Sequence, residues 1–256
     1  MDLPGRFGHT RITACGPEHA PPVLLLHGGG ATAMAWTAVV GDLRRDHRVI
    51  APDLVGDPGR SRNDGERLRS TADLCEWIDS VISGLRVGRV DVVAHSYGAM
   101  IAAAHAVHAP AAIGRLVLLD PNSCFAGMSR RHLTRALPLL VHPTEDRQRR
   151  LVSWETDHAP LDSDWLTVIA KGATFPASRT VVPRRPSREL LSRLADHPVT
   201  VVLAPGSKVH HPVRIADRVG ALLPSASIVM LSSGTHHTLP MAPADELGRT
   251  LSDSLG

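Results

Sequence analysis

The 256-residue chain contains little that could cross-link it, hold it in a membrane or bind it to nucleic acid. Its three cysteines lie far apart and are odd in number, which argues against a disulfide framework and against a zinc site. No apolar run reaches the roughly 18 residues of a membrane-spanning helix. No run of like charges is long enough to form a nucleic-acid-binding arm. We therefore expect neither a membrane nor a nucleic-acid partner.

The first ten residues also lack the basic segment and the apolar stretch of an export signal. Together with the cysteine pattern, this lack predicts a reducing, cytoplasmic location. Aromatic residues make up only 3% of the chain, and Lys171 and Lys208 are the only lysines among 28 basic residues. Neither bias indicates a chemistry. The overall composition, 43% hydrophobic and 21% charged, is typical of a globular protein, and at this length it predicts one domain.

Short apolar runs alternate with segments of helical periodicity along most of the chain. This pattern predicts an α/β protein, with a mostly parallel central sheet flanked by helices. The predicted strands lie at residues 23–26, 48–51, 90–94, 116–119, 199–203 and 228–231. The alternation breaks between the fourth and the fifth of these strands, over a span much longer than one crossover connection needs. The sequence therefore predicts an insertion at this point.

The predicted core comprises residues 1–120 and 197–256, and the predicted insertion comprises residues 121–196. Four residues in the insertion precede segments with apolar residues at helical spacing and are candidate helix N-caps: Ser129, Thr144, Asp162 and Ser187. Between residues 124 and 195, basic residues outnumber acidic ones by 12 to 7. Such an excess could favour an acidic substrate, although a solvated helical surface is its commoner origin.

A candidate nucleophile lies where the strand that contains Ala94 runs directly into a helix. The sequence Ala94-His95-Ser96-Tyr97-Gly98 places a serine on a sharp turn, with small residues two positions before and after it. The hydroxyl of Ser96 would lie at a helix N-terminus, where free N–H groups and the helix dipole stabilise negative charge. An ordinary N-capping serine fits the same pattern, so the neighbouring motifs decide between the two interpretations.

Upstream, the first predicted parallel strand ends in His27-Gly28-Gly29-Gly30, a loop whose backbone can approach a ligand closely. The amides of Gly29 and Tyr97 are candidate oxyanion-hole donors, and His27 and Gly28 are candidate substrate-binding residues. A phosphate-binding loop is the rival interpretation. It fails because the sequence contains neither GxxxxGK[ST] nor GxGxxG.

Downstream, His236 and His237 follow the last predicted strand. A histidine in such a loop can reach the serine, take its proton as a general base and return it to the leaving group as a general acid. A metal site built from these residues and the pair His210 and His211 is disfavoured, because no carboxylate is spaced to complete it. We therefore predict no metal.

These motifs, in this order, resemble the α/β-hydrolase superfamily and in particular bacterial carboxylesterases. The stretch at residues 52–61, which reads PDLVGDPGRS, resembles the family's D-x-x-G-x-G-x-S loop with one extra residue. The family's last loop usually reads G-H, followed seven residues later by a proline. Pro243 lies seven residues after His236, so the resemblance favours His236 over His237 as the base, although Thr235 replaces the expected glycine.

The resemblance implies an α/β-hydrolase fold in which the insertion is a helical cap over the pocket. The family usually supplies a third catalytic residue, an acid, in the turn after the penultimate predicted strand. That turn, residues 206–212, contains no carboxylate. Asp120, which ends an earlier strand, is the candidate acid, since some members of the superfamily place theirs there. Asn122 could orient the histidine without charge, and a serine–histidine dyad is the third alternative.

The resemblance and the site residues together predict a serine hydrolase that cleaves a carboxylic ester or thioester of a small molecule through an acyl-enzyme on Ser96. The alternatives are an acyl transferase or thioesterase in a biosynthetic pathway, and a non-catalytic ligand-binding protein with the same scaffold. Hydrolysis of C–C bonds also remains open. We expect no cofactor, a small-molecule substrate as the binding partner, and a monomer or a homodimer.

Overall fold

The computed structural model describes residues 1–176 and 180–256. The strands are β1 Asp2–Gly5, β2 Gly8–Cys15, β3 Pro22–Leu26, β4 Arg48–Pro52, β5 Val90–His95, β6 Ile113–Leu119, β7 Val199–Leu203 and β8 Ser227–Met230. They form one sheet in the order β1-β2-β4-β3-β5-β6-β7-β8. The pairings of β1 with β2 and of β2 with β4 are antiparallel, and the other pairings are parallel. The predicted α/β class with a mostly parallel sheet is confirmed.

The six predicted strands correspond to β3 through β8, with small differences at their ends. The hairpin formed by β1 and β2 has no counterpart among the predicted strands. In β2, buried residues alternate with partly exposed ones, and β1 is mostly exposed at the edge of the sheet. A strand with this exposure has no continuous apolar run, and such a run was the signal that revealed the central strands.

Helices cover both faces of the sheet. They are α1 Val40–Leu43, α2 Thr71–Gly84, α3 Tyr97–His108, α4 Arg130–Val141, α5 Glu145–Glu155, α6 Ser163–Gly172, α7 Arg188–Ser192, α8 Pro212–Leu222 and α9 Ala244–Leu255. Adjacent residues of β5 point to opposite faces. Val92 packs in a cluster that includes Ile101 of α3, whereas Val93 packs in a cluster that includes Leu251 of α9. None of the helices in the described ranges is long and apolar enough to cross a membrane.

Helices α4 to α7 lie between β6 and β7 in the chain, within the predicted insertion at residues 121–196. Each begins after a residue whose side chain accepts a hydrogen bond from the backbone N–H three positions later. These residues are the candidate N-caps Ser129, Thr144, Asp162 and Ser187. The local polar signal therefore predicted where these short helices start, although their apolar faces are small.

The parallel order of the sheet brings five chain segments to one edge. The carboxyl ends of β3, β5, β6, β7 and β8 meet there, because parallel strands all point in the same direction. The glycine loop at residues 27–30 follows β3, Ser96 follows β5 and Asp120 follows β6. The turn at residues 206–212 follows β7, and the loop at residues 231–243, here called the last loop, follows β8.

Candidate active site

Ser96 lies on the turn between β5 and α3, in a backbone conformation that few residues other than glycine adopt. Its φ is 52° and its ψ is −111°. A Cβ at Gly98 would collide with the carbonyl oxygens of Leu26 and His27, so this position requires glycine. The turn thus has the form that the sequence motif predicts, with the Ser96 hydroxyl at the start of α3.

Ser96, His236 and Asp120 form a continuous chain of hydrogen bonds, and all three residues are buried. Ser96 Oγ lies 2.7 Å from His236 Nε2, and His236 Nδ1 lies 2.6 Å from Asp120 Oδ2. An ionised carboxylate can only accept, so His236 Nδ1 carries the proton and Nε2 accepts from the Ser96 hydroxyl. This tautomer is the one that can take a proton from a serine.

The Asp120 carboxylate is fully buried and accepts hydrogen bonds from four groups. Oδ1 accepts from His210 Nε2 at 2.9 Å and from the Ala204 amide at 3.3 Å. Oδ2 accepts from Ser207 Oγ at 2.8 Å in addition to His236. Burial raises the pKa of Asp120, but the hydrogen bonds from His210 and His236 outweigh burial and hold that pKa well below its usual range. Asp120 is therefore an anion at neutral pH.

The turn at residues 206–212 lacks the family's acid but supplies partners for Asp120. Ser207 and His210 belong to this turn and both donate to the Asp120 carboxylate. The acid therefore follows β6 and its donors follow β7. Asn122, the uncharged alternative, accepts a hydrogen bond from the Ser123 hydroxyl at 3.1 Å. The residue that the structure brings to the His236 ring is thus Asp120.

Glu155, the last residue of α5, is a buried carboxylate that the sequence analysis did not identify. It accepts hydrogen bonds from the backbone N–H groups of His236 and His237, from His237 Nδ1 and from the Thr235 hydroxyl. His237, the second candidate base, is therefore bonded to Glu155, and Ser96 is bonded to His236. No local pattern distinguishes Glu155 from the other acids of the insertion. The sequence feature that points to this contact lies in the last loop instead, where Thr235 replaces the family's glycine.

His95 fixes the other side of the last loop. Its Nε2 donates to the His236 carbonyl at 2.9 Å, and the two ring centroids lie 5.0 Å apart. Burial and the nearby His236 lower the pKa of His95 to about 3. His95 is therefore neutral at physiological pH, and it acts here as a hydrogen-bond donor to the backbone.

The glycine loop packs against the turn that carries Ser96. A Cβ on Gly29 would lie 3.4 Å from the Tyr97 Cβ, and one on Gly28 would lie 3.3 Å from the Ser96 Cβ. Within the described part of the chain, the amides of Gly29 and Tyr97 donate no hydrogen bond, so both can donate to an oxyanion. Gly28 lines the cavity beside Ser96. His27 does not, because its ring lies behind the loop and bonds to backbone groups there.

A cavity of about 110 Å³ opens beside Ser96 and His236. The glycine loop and the last loop form part of its wall, and the insertion contributes Gln148 from α5 and Trp165 and Ile169 from α6. Among the described residues that line this cavity there is no arginine, lysine, aspartate or glutamate. The cavity therefore suits a small, uncharged group.

Three arginines of the insertion lie elsewhere, in a groove of about 1280 Å³ between α2, α3 and residues 180–193. Five arginines line this arginine groove: Arg67 and Arg69 from the core and Arg184, Arg185 and Arg193 from the insertion. No acidic residue is found among its described lining residues. The groove and the cavity at Ser96 share no described lining residue, so these five arginines lie outside the wall of the cavity that contains the candidate nucleophile.

Asp120, His210 and His236 also offer three potential metal ligands within 4.8 Å of one another. Folding brings Asp120 between two histidines from different loops, so the expectation that no carboxylate could join a histidine site is wrong. In the structure these ligand atoms are hydrogen-bonded to one another. A metal ion would have to replace the proton between His236 and Asp120, so the donor set fits a hydrogen-bonded relay better than an ion site.

The fold and the site together define the class of protein. Residues 23–249 match the model of the alpha/beta hydrolase family, and the chain belongs to this family. Carboxylesterase YbfK of Bacillus subtilis is 32% identical over 124 residues, which are 47% of this chain and 40% of YbfK. The 2-hydroxy-6-oxo-2,4-heptadienoate hydrolase of Pseudomonas putida is 35% identical over 101 residues, which are 38% of this chain and 36% of that protein. The chain thus matches less than half the length of these relatives.

The likeness to solved structures extends over the whole chain. The structure of naproxen esterase from Bacillus subtilis superposes with a TM-score of 0.90 at 22% sequence identity, covering 100% of this chain and 90% of that one. The structure of carboxylesterase CesB (YbfK), also from Bacillus subtilis, superposes with a TM-score of 0.86 at 22% identity, covering 98% of this chain and 90% of that one. At this level of identity the likeness concerns the fold, and the predicted α/β-hydrolase fold is confirmed.

Proposed function

We propose that the protein is a serine hydrolase that cleaves a carboxylic ester or thioester of a small molecule. The observation that carries this proposal is the hydrogen-bonded chain from Ser96 Oγ through His236 to Asp120, with distances of 2.7 and 2.6 Å. The chain starts at a serine on a strained turn and ends at a buried anion, which is the arrangement that activates a serine hydroxyl.

In the proposed reaction, Ser96 Oγ attacks the carbonyl carbon while His236 Nε2 takes the hydroxyl proton. The carbonyl oxygen becomes an oxyanion and accepts hydrogen bonds from the amides of Gly29 and Tyr97. His236 then gives the proton to the departing alkoxide or thiolate, and the acyl group stays on Ser96. A water molecule then gives a proton to His236 and attacks the acyl carbon. The bond between that carbon and Ser96 Oγ breaks, the carboxylic acid leaves, and His236 returns the proton to Ser96 Oγ.

Asp120 completes the proposed mechanism by holding His236 in the required tautomer. It also stabilises the imidazolium that forms when His236 takes the proton. Its four hydrogen-bond donors keep it ionised, so its negative charge is present before the reaction begins. No reorganisation of the carboxylate is then needed in the transition state.

The lining of the small cavity favours a neutral ester over the 2-hydroxy-6-oxo-2,4-heptadienoate that one relative's name gives as its substrate. A dienoate carries a negative charge, and the described residues around the cavity include no arginine or lysine to neutralise it. The neutral acyl group of a simple ester meets no such penalty. Carboxylesterase YbfK and naproxen esterase (carboxylesterase NP) are both named as carboxylesterases, which agrees with this choice.

A series of p-nitrophenyl esters, from acetate to long acyl chains, tests the proposal. We expect the wild type to hydrolyse the short esters best, because the cavity measures about 110 Å³. Replacing the nucleophile in Ser96→Ala should lower kcat by at least about ten-thousandfold. A fluorophosphonate should label the wild type and leave the variant unlabelled.

Two results would contradict the proposal in different ways. Full activity in the Ser96→Ala variant would mean that another residue is the nucleophile. A folded wild type that neither hydrolyses any ester of the series nor reacts with the fluorophosphonate would favour a ligand-binding protein with the hydrolase scaffold.

A further inference from the structure

We propose that Glu155 is a positioning residue, which holds His236 in its working place and makes that place depend on the insertion. The inference rests on the proposed function, because it concerns the residue that acts there as the base. Helix α5 of the insertion then sets part of the active geometry, in addition to the three strand ends that carry Ser96, His236 and Asp120.

The contacts of Glu155 are concentrated on the last loop. Oε1 accepts from the His236 amide at 3.0 Å. Oε2 accepts from the His237 amide at 3.1 Å, from His237 Nδ1 at 3.0 Å and from Thr235 Oγ1 at 3.0 Å. One carboxylate thus binds four donors from three consecutive residues. This number is close to its full accepting capacity.

The Glu155 side chain is completely shielded from solvent, yet it carries a charge. Burial raises its pKa, but the hydrogen bond and the charge of His237 oppose burial, and the resulting pKa is about 2. An anion without solvent must be satisfied by fixed donors, so the last loop cannot move away from Glu155 without leaving a buried charge unpaired. The contact is therefore much stiffer than an exposed ion pair.

The backbone of His236 is held from both sides. Its N–H donates to Glu155, and its carbonyl accepts from His95 Nε2 at 2.9 Å. These two bonds fix the peptide groups on either side of the His236 Cα, and they leave the ring free to bond Ser96 and Asp120. Hydrogen bonds of this kind set where the ring lies, and a displacement of about 1 Å in such a group can lower a rate about a hundredfold.

The same end of α5 is tied to the turn that supports Asp120. Lys208 Nζ donates to the Trp154 carbonyl at 2.7 Å, and it lies 5.2 Å from the centre of the Trp154 ring. A cation at this place also complements the dipole at the C-terminus of the helix. Trp154 and Glu155 thus connect the C-terminal end of α5 to the turn at residues 206–212 and to the last loop. A shift of α5 would disturb both loops together.

Thr235 is the position at which the contact with Glu155 can be seen in the sequence. The family has glycine before the histidine of its last loop, whereas here the glycine is Gly234, with a φ of 101°. Thr235 takes the next place and donates its hydroxyl to Glu155. The departure from the family pattern is thus explained by a partner that only the fold brings near.

Kinetics of Glu155→Gln, with Glu145→Gln as the matched control, test the proposal. Glu145 is the first residue of the same helix, at the end remote from the last loop. An amide at position 155 can accept with one oxygen only, and its NH₂ group would face the donors of the loop. Active sites are counted by the burst of p-nitrophenol, and kcat per site is compared with KM for the acetate.

We expect kcat per active site to fall between about tenfold and a hundredfold in Glu155→Gln, with KM changed less than about threefold. Glu145→Gln should keep kcat within about twofold of the wild type. Thr235→Ala removes one donor of four and should give a smaller loss than Glu155→Gln. Equal kcat per active site in the wild type and Glu155→Gln would overturn the proposal, even if the variant melted at a lower temperature.

A proton NMR measurement gives a second readout that does not need turnover. The His236 Nδ1 proton, bonded to Asp120 at 2.6 Å, should give a resonance far downfield. We expect this resonance to shift or broaden in folded Glu155→Gln and to persist in Glu145→Gln. An unchanged resonance in Glu155→Gln would overturn the proposal. If the wild type hydrolyses no ester, the proposed function fails, while this resonance still decides whether Glu155 positions His236.

Discussion

Two carboxylates approach His236 from different parts of the molecule: Asp120 from the core and Glu155 from the insertion. Both are completely buried, and both bond to the same residue, at 2.6 and 3.0 Å. Asp120 bonds to the ring and sets its proton, whereas Glu155 bonds to the backbone and sets its position. One histidine therefore depends on one anion for its protonation state and on another for its position, and different experiments should detect each dependence.

The largest effect is expected from Asp120→Asn. The amide would donate towards His236 Nδ1, so the ring would hold the wrong tautomer and could not accept the Ser96 proton. We expect kcat for p-nitrophenyl acetate to fall about ten-thousandfold, well beyond the loss predicted for Glu155→Gln. Asn122→Ala is the control for the uncharged alternative and should retain wild-type kcat.

The two losses of kcat show which of the two anions matters more for the reaction. A smaller loss in Asp120→Asn than in Glu155→Gln would reverse the comparison and would favour a serine–histidine dyad. A large loss in Asn122→Ala would show that Asn122 orients the histidine.

The stability of the fold in acid gives a separate measure of the Glu155 anion. The pKa of Glu155 is lowered from its usual 4.5 to about 2 in the folded protein. A lowered carboxylate pKa stabilises the fold fully above the unfolded value, and this stabilisation is lost as the pH falls from 4.5 towards 2. From the size of this shift, Glu155 contributes up to about 3 kcal/mol in that window.

Urea unfolding at pH 6 and pH 3 measures this contribution. We expect the free energy of unfolding to fall more steeply with acid in the wild type than in Glu155→Gln, because the amide does not titrate. Glu145→Gln should follow the wild type. Asp120 titrates in the same direction and is present in all three proteins, so it cancels in the comparison. Parallel losses in the wild type and Glu155→Gln would contradict a strongly lowered pKa.

The two anions also differ in how visible they are in the sequence. Asp120 ends an apolar run that reads as a strand, and the parallel order of the sheet brings strand ends together, so its proximity to Ser96 and His236 could be anticipated. Glu155 lies on an amphipathic helix of an irregular insertion. Its contact with His236 spans 81 residues and depends on how α5 packs. Periodicity locates such a helix but not its partners.

The same contrast applies to other parts of the chain. The N-caps of the four insertion helices follow local rules, and those helices start where the sequence indicates. The β1–β2 hairpin has a half-exposed pattern and was missed. His210 and Ser207 belong to the turn at residues 206–212, where the sequence shows only that the family's acid is missing. Their role as hydrogen-bond donors depends on the position of Asp120 in the fold. Local sequence rules therefore predict the site residues at the strand ends, whereas tertiary packing determines which groups form hydrogen bonds with them.

The smallest effect is expected in the arginine groove, which tests whether charge far from Ser96 influences the reaction. Arg67 and Arg184 are exposed and line the groove, and the described contacts include no ion pair for either. Arg67→Gln/Arg184→Gln removes two positive charges there. Arg44→Gln/Arg214→Gln removes two from exposed sites outside the groove and is the matched control. Both variants change the net charge equally.

For the neutral substrate p-nitrophenyl acetate, we expect both double variants to keep kcat/KM within about twofold of the wild type, because no arginine is found among the described residues that line the cavity beside Ser96. For an anionic ester, such as p-nitrophenyl hydrogen glutarate, removal of the groove arginines should raise KM up to about fourfold at low salt, with less effect at 0.5 M salt. The control variant should leave this KM unchanged. Equal shifts in both variants would mean that only net charge matters, and a fall in kcat for the acetate would show that the groove and the candidate active site are coupled through the fold.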